Sequence, residues 1–244
     1  MKPGDTFGIR TRQQTKGLAV IELSEVAYSY GGGALFSSLS LALAPGSFHF
    51  LTGPSGSGKT TLMKLLYADL RPTSGEAWLF DQPVSAMGRE EVTLARRRIG
   101  VVHQDVAFLD HLSLAENIGL PLTVSGRGAE AAQYVPDLLA WVGLSHRAEA
   151  RPPELSGGER QRAALARAVI GAPDVVLADE PTGNVDWAMS QRLLTLLIEL
   201  NRMGTAVLVA THDLNLIRQS KAQGVVARTL RLKEGQLMAA GAEL

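Results

Sequence analysis

A glycine-rich loop that ends in a lysine occupies residues 53–61, where the sequence reads GPSGSGKTT. It fits the pattern G-x-x-x-x-G-K-[ST], in which successive backbone amides surround phosphate oxygens. Lys59 would reach the β and γ phosphates of a nucleotide, and the hydroxyl of Thr60 would bind Mg²⁺. An apolar strand before the loop and a helix after it complete the arrangement. The predicted nucleotide site consists of Gly53, Pro54, Ser55, Gly56, Ser57, Gly58, Lys59, Thr60 and Thr61.

Two acidic residues follow the apolar run VVLA at residues 175–178. Such a run predicts a buried strand, and the end of that strand presents Asp179 and Glu180. Asp179 would hold the magnesium shell, and Glu180 would accept a proton from an attacking water or orient it. An ordinary acidic strand end is the favoured reading when such a pair stands alone. Beside the glycine-rich loop, the pair favours nucleotide hydrolysis over binding alone.

A second possible anion site begins at residue 156, in the stretch LSGGERQRAALARAV. Ser156 is placed to cap a helix, and Gly157, Gly158 and Glu159 form the first turn of that helix. Free amides at a helix N-terminus suit an anion, typically phosphate. Because the loop at 53–61 already accounts for this chain's own nucleotide, the second site lacks a ligand within a single chain.

The composition indicates a globular chain with balanced charge. Of its 244 residues 45% are hydrophobic, and 24 basic residues match 24 acidic ones. Nucleic-acid binding usually leaves a basic excess, so no nucleic-acid partner is expected. The lack of cysteine excludes disulfides, thiolate metal sites and a cysteine nucleophile. No apolar run approaches the ~20 residues of a membrane span, and residues 1–17 lack the apolar region of a signal peptide.

Short apolar runs alternate with helix-like segments along the chain. Strands are expected at 18–26, 47–51, 77–80, 99–103, 175–178, 206–210 and 225–232. Helices are expected at 59–70, 129–142, 156–170, 187–202 and 213–219. Leucines at helical spacing in 187–202 predict a stripe that packs on the core. The alternation predicts an α/β fold with a largely parallel sheet covered on both faces.

The strand pattern disappears between residues 104 and 154. Short helical patterns fill this stretch, and prolines such as Pro121 and Pro136 are expected to break them. We interpret the region of about residues 105–165 as a helical subdomain inserted into the α/β core. The basic run from Arg96 to Arg98, just before it, is expected to form a solvated face.

With the glycine-rich loop, LSGGE and LADEP in this order, the chain resembles the ATP-binding cassette (ABC) ATPases over residues 18–238. The resemblance implies a P-loop NTPase fold with a mostly parallel sheet, an antiparallel β region at its edge and the inserted helical subdomain. It implies ATP and Mg²⁺ as ligands. The polar, glycine-containing residues 1–17 are expected to form a flexible extension, and residues 239–244 a C-terminal tail. In this family two copies pack head to tail on ATP binding, so a homodimer is also implied.

The resemblance assigns roles to further residues. Tyr30 would stack on adenine, and Gln104 would lie between the magnesium site and a membrane partner. His212 would contact the γ-phosphate, and Asp186 would lie in the loop that crosses the dimer interface. The family signature, which binds the nucleotide of the partner chain, comprises Ser156, Gly157, Gly158 and Glu159.

Some of these positions have alternatives. Tyr30 is also compatible with a surface aromatic, since Tyr28 lies on the same strand face. A lone histidine is usually structural, but His212 follows the apolar strand TAVLVA at the sheet edge where ligands bind in such folds. His103 stands where the family commonly has phenylalanine, which leaves the packing beneath Gln104 open.

Within the family, residues 95–122 and 178–217 most resemble its cell-division members. Those ATPases pair with an integral membrane protein that carries a large extracytoplasmic loop. The resemblance implies that ATP cycles signal across the membrane to activate cell-wall hydrolysis, without transport of a solute. The lack of a membrane span and of a signal peptide predicts a cytoplasmic protein, and the resemblance implies that it is peripheral on the inner membrane. The lipoprotein-releasing and macrolide-export ATPases are the alternatives, whereas a DNA- or ribosome-acting cassette and a non-hydrolysing scaffold are disfavoured.

Overall fold

Strands and helices alternate along most of the chain. This computed structural model describes residues 19–183 and 185–239, so the predicted extension at 1–17 and residues 240–244 of the predicted tail lie outside it. The strands are β1 (Ile21–Ser29), β2 (Ala34–Leu43), β3 (Phe48–Thr52), β4 (Ser74–Leu79), β5 (Gln82–Pro83), β6 (Ile99–Val102), β7 (Val175–Asp179), β8 (Ala206–Ala210), β9 (Ala227–Lys233) and β10 (Gln236–Ala239). The α-helices are α1 (Lys59–Leu66), α2 (Arg89–Arg96), α3 (Leu114–Thr123), α4 (Gly128–Trp141), α5 (Gly157–Val169), α6 (Trp187–Arg202) and α7 (Leu214–Ala222).

The larger sheet has six strands in the order β10-β9-β3-β8-β7-β6. Five of them are parallel, and β10 pairs antiparallel with β9 at one edge. Every residue of β3, β7 and β8 is buried, as expected for strands covered on both faces. The mostly parallel sheet is therefore confirmed, and the carboxyl ends of β3, β8 and β7 lie side by side.

A second sheet forms the antiparallel region, in the order β2-β1-β4-β5. Its inward side chains, among them Ile21, Leu23 and Phe36, are buried in a core shared with α1 and one face of the larger sheet. The sequence reasoning missed β2. Its residues ALFSSLSLAL mix serine with leucine and lack the continuous apolar run that marks the other strands.

Helices α5, α6 and α7 cover the other face of the larger sheet. In α6 the predicted stripe lies in this core, with Leu193 and Leu197 buried and Leu196 partly buried. The bounds of α6 match the predicted 187–202, because Asp186 caps the helix by accepting from Met189 N at 2.8 Å. Over the described residues, no helix has the length and apolar character needed to cross a bilayer.

A third core joins α3, α4 and α5 in the region predicted to be helical. The expectation that prolines break the helices here is wrong, because Pro121 lies inside α3 and Pro136 inside α4. Each proline removes one backbone donor, and tertiary packing compensates for the loss. Asn117 of α3 is fully buried and uses its amide to tie down the preceding turn, through Leu109 N at 2.8 Å and Leu109 O at 3.0 Å.

The arginines before β6 are not simply solvated, contrary to expectation. Arg96 donates to the carbonyls of Tyr67 and Ala68 just after α1, at 3.0 and 2.6 Å. Arg98 pairs with Asp174 at 2.7 Å, and its guanidinium carbon lies 3.7 Å from the centre of the Phe80 ring. Both side chains therefore join elements that are distant in sequence.

The central strand β3 carries a buried histidine whose burial has a consequence for stability. His49 is 4% exposed, and within the described residues its Nδ1 has no hydrogen-bond partner. Burial, aided by the charge of Arg228, lowers the pKa of His49 from 6.5 to about 4. The unfolded chain therefore binds more protons than the folded chain between these two values. We expect the free energy of unfolding to fall by up to about 3 kcal/mol as the pH drops through this window.

Urea unfolding at several pH values tests this expectation. His49→Leu, which cannot titrate, should lose that part of the pH dependence, whereas the exposed control His111→Gln should retain it. If His49→Leu and the unaltered chain lose stability equally between about pH 6.5 and pH 4, His49 does not titrate as described.

Candidate active site

The glycine-rich loop joins the end of β3 to the start of α1. Gly56 and Gly58 have φ values of 74° and 99°, in the left-handed region that favours glycine. A Cβ on Gly53 would lie 2.4 Å from the main-chain oxygen of Leu232, and one on Gly58 would lie 3.0 Å from the Phe36 ring. The backbone is therefore curled tightly at positions that admit no larger side chain without displacement.

Lys59 and Ser57 bring donors to this loop. The ammonium of Lys59 donates to the main-chain oxygens of Gly53 and Pro54, at 2.8 and 3.2 Å. These bonds hold the cation against the backbone at the start of the loop. The hydroxyl of Ser57 is buried and, among the described residues, has no partner. Such a cluster of donors suits phosphate oxygens.

Two side-chain oxygens, one from the start of α1 and one from the end of β7, lie together beside the loop. The hydroxyl of Thr60 donates to Asp179 Oδ2 at 2.8 Å, and Asp179 is only 5% exposed. Burial raises the pKa of Asp179, the nearby charge of Glu180 raises it further, and the bond from Thr60 opposes the rise. The described residues include no cluster of three metal-ligating His, Asp or Glu side chains. This donor set fits Mg²⁺, which usually takes one or two protein ligands and completes its shell with phosphate and water.

The carboxylate of Glu180 is held by the loop that follows β8. Thr211 donates to Glu180 Oε2 at 3.2 Å, and His212 Nδ1 lies 2.8 Å from Glu180 Oε1. The side chain of His212 remains 78% exposed, whereas that of Glu180 is 14% exposed. The arrangement fixes one carboxylate at the sheet edge with an imidazole beside it. The carboxylate of Glu180 can orient a water molecule and accept a proton from it.

One open cleft of about 690 Å³ collects these groups. Its wall also contains Tyr30 and Gln104, which are distant from the loop in sequence. Tyr30 is 66% exposed, its ring meets Tyr28 edge to face at 5.0 Å, and its hydroxyl is 3.1 Å from Thr61 Oγ1. The exposed ring is thus available to stack on a flat ligand. The ring of His103, the residue before Gln104, packs edge-on against Tyr67, with 5.8 Å between ring centres.

The signature residues do not line this cleft. Ser156 caps α5 by accepting from Glu159 N at 3.3 Å, and the Glu159 carboxylate bonds back to Ser156 N at 2.8 Å. Arg147 donates to the same carboxylate at 2.9 Å. These bonds, led by that of the Ser156 amide, lower the pKa of Glu159 to about 2. Glu159 therefore serves the capping of α5, and the exposed Gly157 in the first turn does not line the cleft of its own chain.

Asp186 also lies outside the cleft, where it caps α6. Conversely, sequence reasoning missed Thr211, Leu35 and Gln161. Leu35 lines the cleft, and Thr211 orients Glu180 from a fully buried position. A hydroxyl between an apolar strand and a candidate histidine was the available signal for Thr211. The contact of Gln161 with Glu180 O, at 3.4 Å, joins two segments whose approach no local pattern indicates.

Comparison with known proteins identifies this arrangement. The profile of the family described as ABC transporter matches residues 36–183. The chain belongs to the ABC ATPase family. A dimeric ATP-binding cassette solved in a post-hydrolysis state with ADP and Pi is 31% identical to this ABC ATPase, with a TM-score of 0.81. The match covers 91% of this chain and 99% of that one. The P-loop fold and the ATPase activity predicted from the sequence are both confirmed.

Curated relatives of this ABC ATPase cover most of its length. The cell division ATP-binding protein FtsE of Escherichia coli K12 is 40% identical over 220 residues, which is 89% of this chain and 97% of the relative. FtsE of Bacillus subtilis is 38% identical, over 83% of this chain and 90% of the relative. The lipoprotein-releasing system ATP-binding protein LolD of Pseudomonas fluorescens is 42% identical, over 91% of this chain and 98% of the relative.

Proposed function

We propose that this ABC ATPase is the ATPase subunit of an FtsE-type complex. It pairs with an FtsX-like integral membrane subunit and drives transmembrane signalling that activates cell-wall hydrolases in cell division. The observation that carries the proposal is the run of FtsE relatives near 40% identity across most of the chain, from Escherichia coli to Bacillus subtilis. The protein is peripheral on the cytoplasmic face of the inner membrane and binds no nucleic acid.

We assign the residues of the cleft to separate steps of ATP hydrolysis. Tyr30 stacks on adenine, and the loop from Gly53 to Thr61 holds the phosphates with Lys59. Glu180 accepts the proton of the attacking water, and His212 contacts the γ-phosphate. The contacts of Glu180 with Thr211 and His212 support this division, because they leave its carboxylate fixed at the cleft wall.

Mg²⁺ is the metal that the donor set fits. Thr60, Asp179 and Gln104 would hold it, directly or through water. When bound, it neutralises charge that develops on the phosphates. The bond between Thr60 and Asp179 supports the assignment, since it brings two oxygen donors together beside the phosphate loop.

Two copies of the chain form a head-to-tail dimer on ATP binding. Each nucleotide then lies between the phosphate loop of one chain and Ser156, Gly157 and Gly158 of the other, with Asp186 at the interface. The exposed signature turn supports this arrangement. It is the capped N-terminus of a helix, which suits an anion, yet it does not line the cleft of its own chain. Head-to-tail pairing of two such half-sites closes with two-fold symmetry. Related cassettes are solved as dimers.

We divide the chain into an ATPase domain at 18–238, flanked by the extension at 1–17 and the tail at 239–244. The helical region of about residues 105–165 is an inserted subdomain. The core shared by α3, α4 and α5 supports its assignment as one packing unit. This subdomain and the neighbourhood of Gln104 form the surface that passes conformational change to the membrane subunit.

Affinity purification of the full chain from its own cells in mild detergent tests the proposed partner. Mass spectrometry should identify a membrane protein with one large extracytoplasmic loop, and the purified complex should hydrolyse ATP. Recovery of a lipoprotein-releasing permease would support the alternative that the 42% identity to LolD favours. Recovery with ribosomes or DNA and no membrane protein would contradict both assignments.

A further inference from the structure

Helix α5 contacts the residue that follows β7 through a side chain that has no role in the steps of hydrolysis assigned to the cleft. Gln161 is 2% exposed, and its Nε2 donates to the main-chain oxygen of Glu180 at 3.4 Å. The contact joins the helix that begins with the signature turn to the backbone of the proposed base. A buried amide oriented in this way is a direct mechanical link between two parts of the site.

The backbone of Glu180 needs such support. Its φ of 48° lies in the left-handed region, which disfavours a residue with a side chain and persists where the surroundings fix it. Its N–H donates to Ala210 O at 2.9 Å, and its carbonyl accepts from Gly183 N at 3.2 Å. Gln161 supplies the remaining partner of that carbonyl, and of these three contacts it alone comes from α5. A shift of α5 therefore acts directly on the residue that carries the carboxylate.

The geometry of α5 places Gln161 close to the signature turn. Gly157 and Gly158 precede it by four and three residues, so all three lie on one face of the helix. With a rise of about 1.5 Å per residue, Gln161 lies roughly 6 Å along the axis from Gly157. If the helix moves as a rigid body, a displacement of the turn moves Gln161 by nearly the same distance.

The far end of α5 is also anchored near the cleft. Arg167 donates to Ala107 O at 2.7 Å, and its guanidinium carbon lies 4.5 Å from the centre of the Phe108 ring. These residues follow Gln104 closely in sequence. The helix thus contacts Glu180 near its start and the segment that follows Gln104 near its end, whereas its exposed first turn does not line the cleft.

We propose that Gln161 is a positioning residue that couples the alignment of Glu180 to the occupancy of the signature turn of the same chain. The proposal rests on the proposed dimer, in which that turn binds the nucleotide of the partner chain. When the partner's nucleotide engages Gly157 and Gly158, α5 moves as a body and Gln161 sets the backbone of Glu180. Glu180 of each chain is then aligned only when the nucleotide of the partner chain is bound, so the two sites hydrolyse ATP together.

The variant Gln161→Leu, which keeps the volume but removes the donor, tests the coupling in the full-length chain. We expect kcat for ATP to fall roughly tenfold, while KM stays within about twofold. The specific activity of the unaltered chain should rise with protein concentration as dimers form, whereas that of Gln161→Leu should stay near its dilute value. The control Leu165→Met, which alters packing on the same helix, should retain the rise.

A second measurement separates positioning from structural damage. In the background Glu180→Gln, which holds ATP unhydrolysed, adding Gln161→Leu should leave ATP-dependent dimerisation within about twofold. Unchanged kcat in Gln161→Leu, or loss of dimerisation, would overturn the coupling. Should Gln161→Leu not fold, Gln161→Met, which also lacks a donor, decides by the same readouts. The proposed function has a separate criterion, since it fails if Ser156→Arg leaves hydrolysis and dimerisation intact.

Discussion

Glu180→Gln is expected to lower kcat for ATP hydrolysis by about 10²- to 10⁴-fold, the usual contribution of a positioned general base. The substitution keeps the size of the side chain, and its single amide oxygen can still accept from Thr211. It removes the negative charge and the capacity to take a proton. Because the contacts of the phosphate loop are untouched, the dissociation constant for ATP should change by no more than about twofold.

Single-turnover hydrolysis and equilibrium ATP binding, measured on the same preparation, check this expectation. Glu199→Gln is the matched control, because Glu199 is an exposed carboxylate on α6 that pairs with Arg202 away from the cleft. It should hydrolyse ATP at the native rate. Native-rate hydrolysis by Glu180→Gln would remove Glu180 from the role of base.

Ser156→Arg is expected to abolish both ATP hydrolysis and ATP-dependent dimerisation while leaving ATP binding intact. Ser156 does not line this chain's own cleft, so we expect its replacement to leave the phosphate-loop contacts of the nucleotide there in place. In the proposed dimer, however, the arginine would occupy the space of the partner's γ-phosphate and separate the two chains. The loss of a helix cap by itself would cost only about 1 kcal/mol.

Ser113→Arg is the matched control for the lost cap. Ser113 caps α3 with the same pattern, in which its hydroxyl accepts from Glu116 N and the Glu116 carboxylate accepts from Ser113 N. It should lose a similar amount of stability and retain hydrolysis. Equal loss of activity in both variants would show that the effect of Ser156→Arg is general destabilisation.

The chemistry of the cleft could be predicted from sequence because its residues follow buried strands. Asp179, Glu180 and His212 each come just after an apolar run, and the carboxyl ends of β7 and β8 are neighbours in the sheet. Local patterns alone therefore place these side chains at one edge of the sheet. The bounds of β8 were predicted because its apolar run is uninterrupted, and those of α6 match because Asp186 caps the helix.

What escaped prediction depends on contacts between distant segments. Pro121 and Pro136 oppose helix formation locally, yet packing in the third core keeps them helical. The serines of β2 interrupt its apolar pattern, so the strand is identified only by its pairing with β1. The bond from Gln161 to Glu180 and the ion pair of Arg147 with Glu159 have no periodic signature. They arise from how α5 lies against its neighbours.

The mass of Glu180→Gln in solution, with and without ATP, tests the central claim of a composite site between two chains. Light scattering should give 26.0 kDa without nucleotide and twice that value with Mg²⁺ and ATP. Adding Ser156→Arg to the same chain should return the mass to that of a monomer in ATP. A chain that stays monomeric with ATP bound, or a dimer that persists despite Ser156→Arg, would contradict the account.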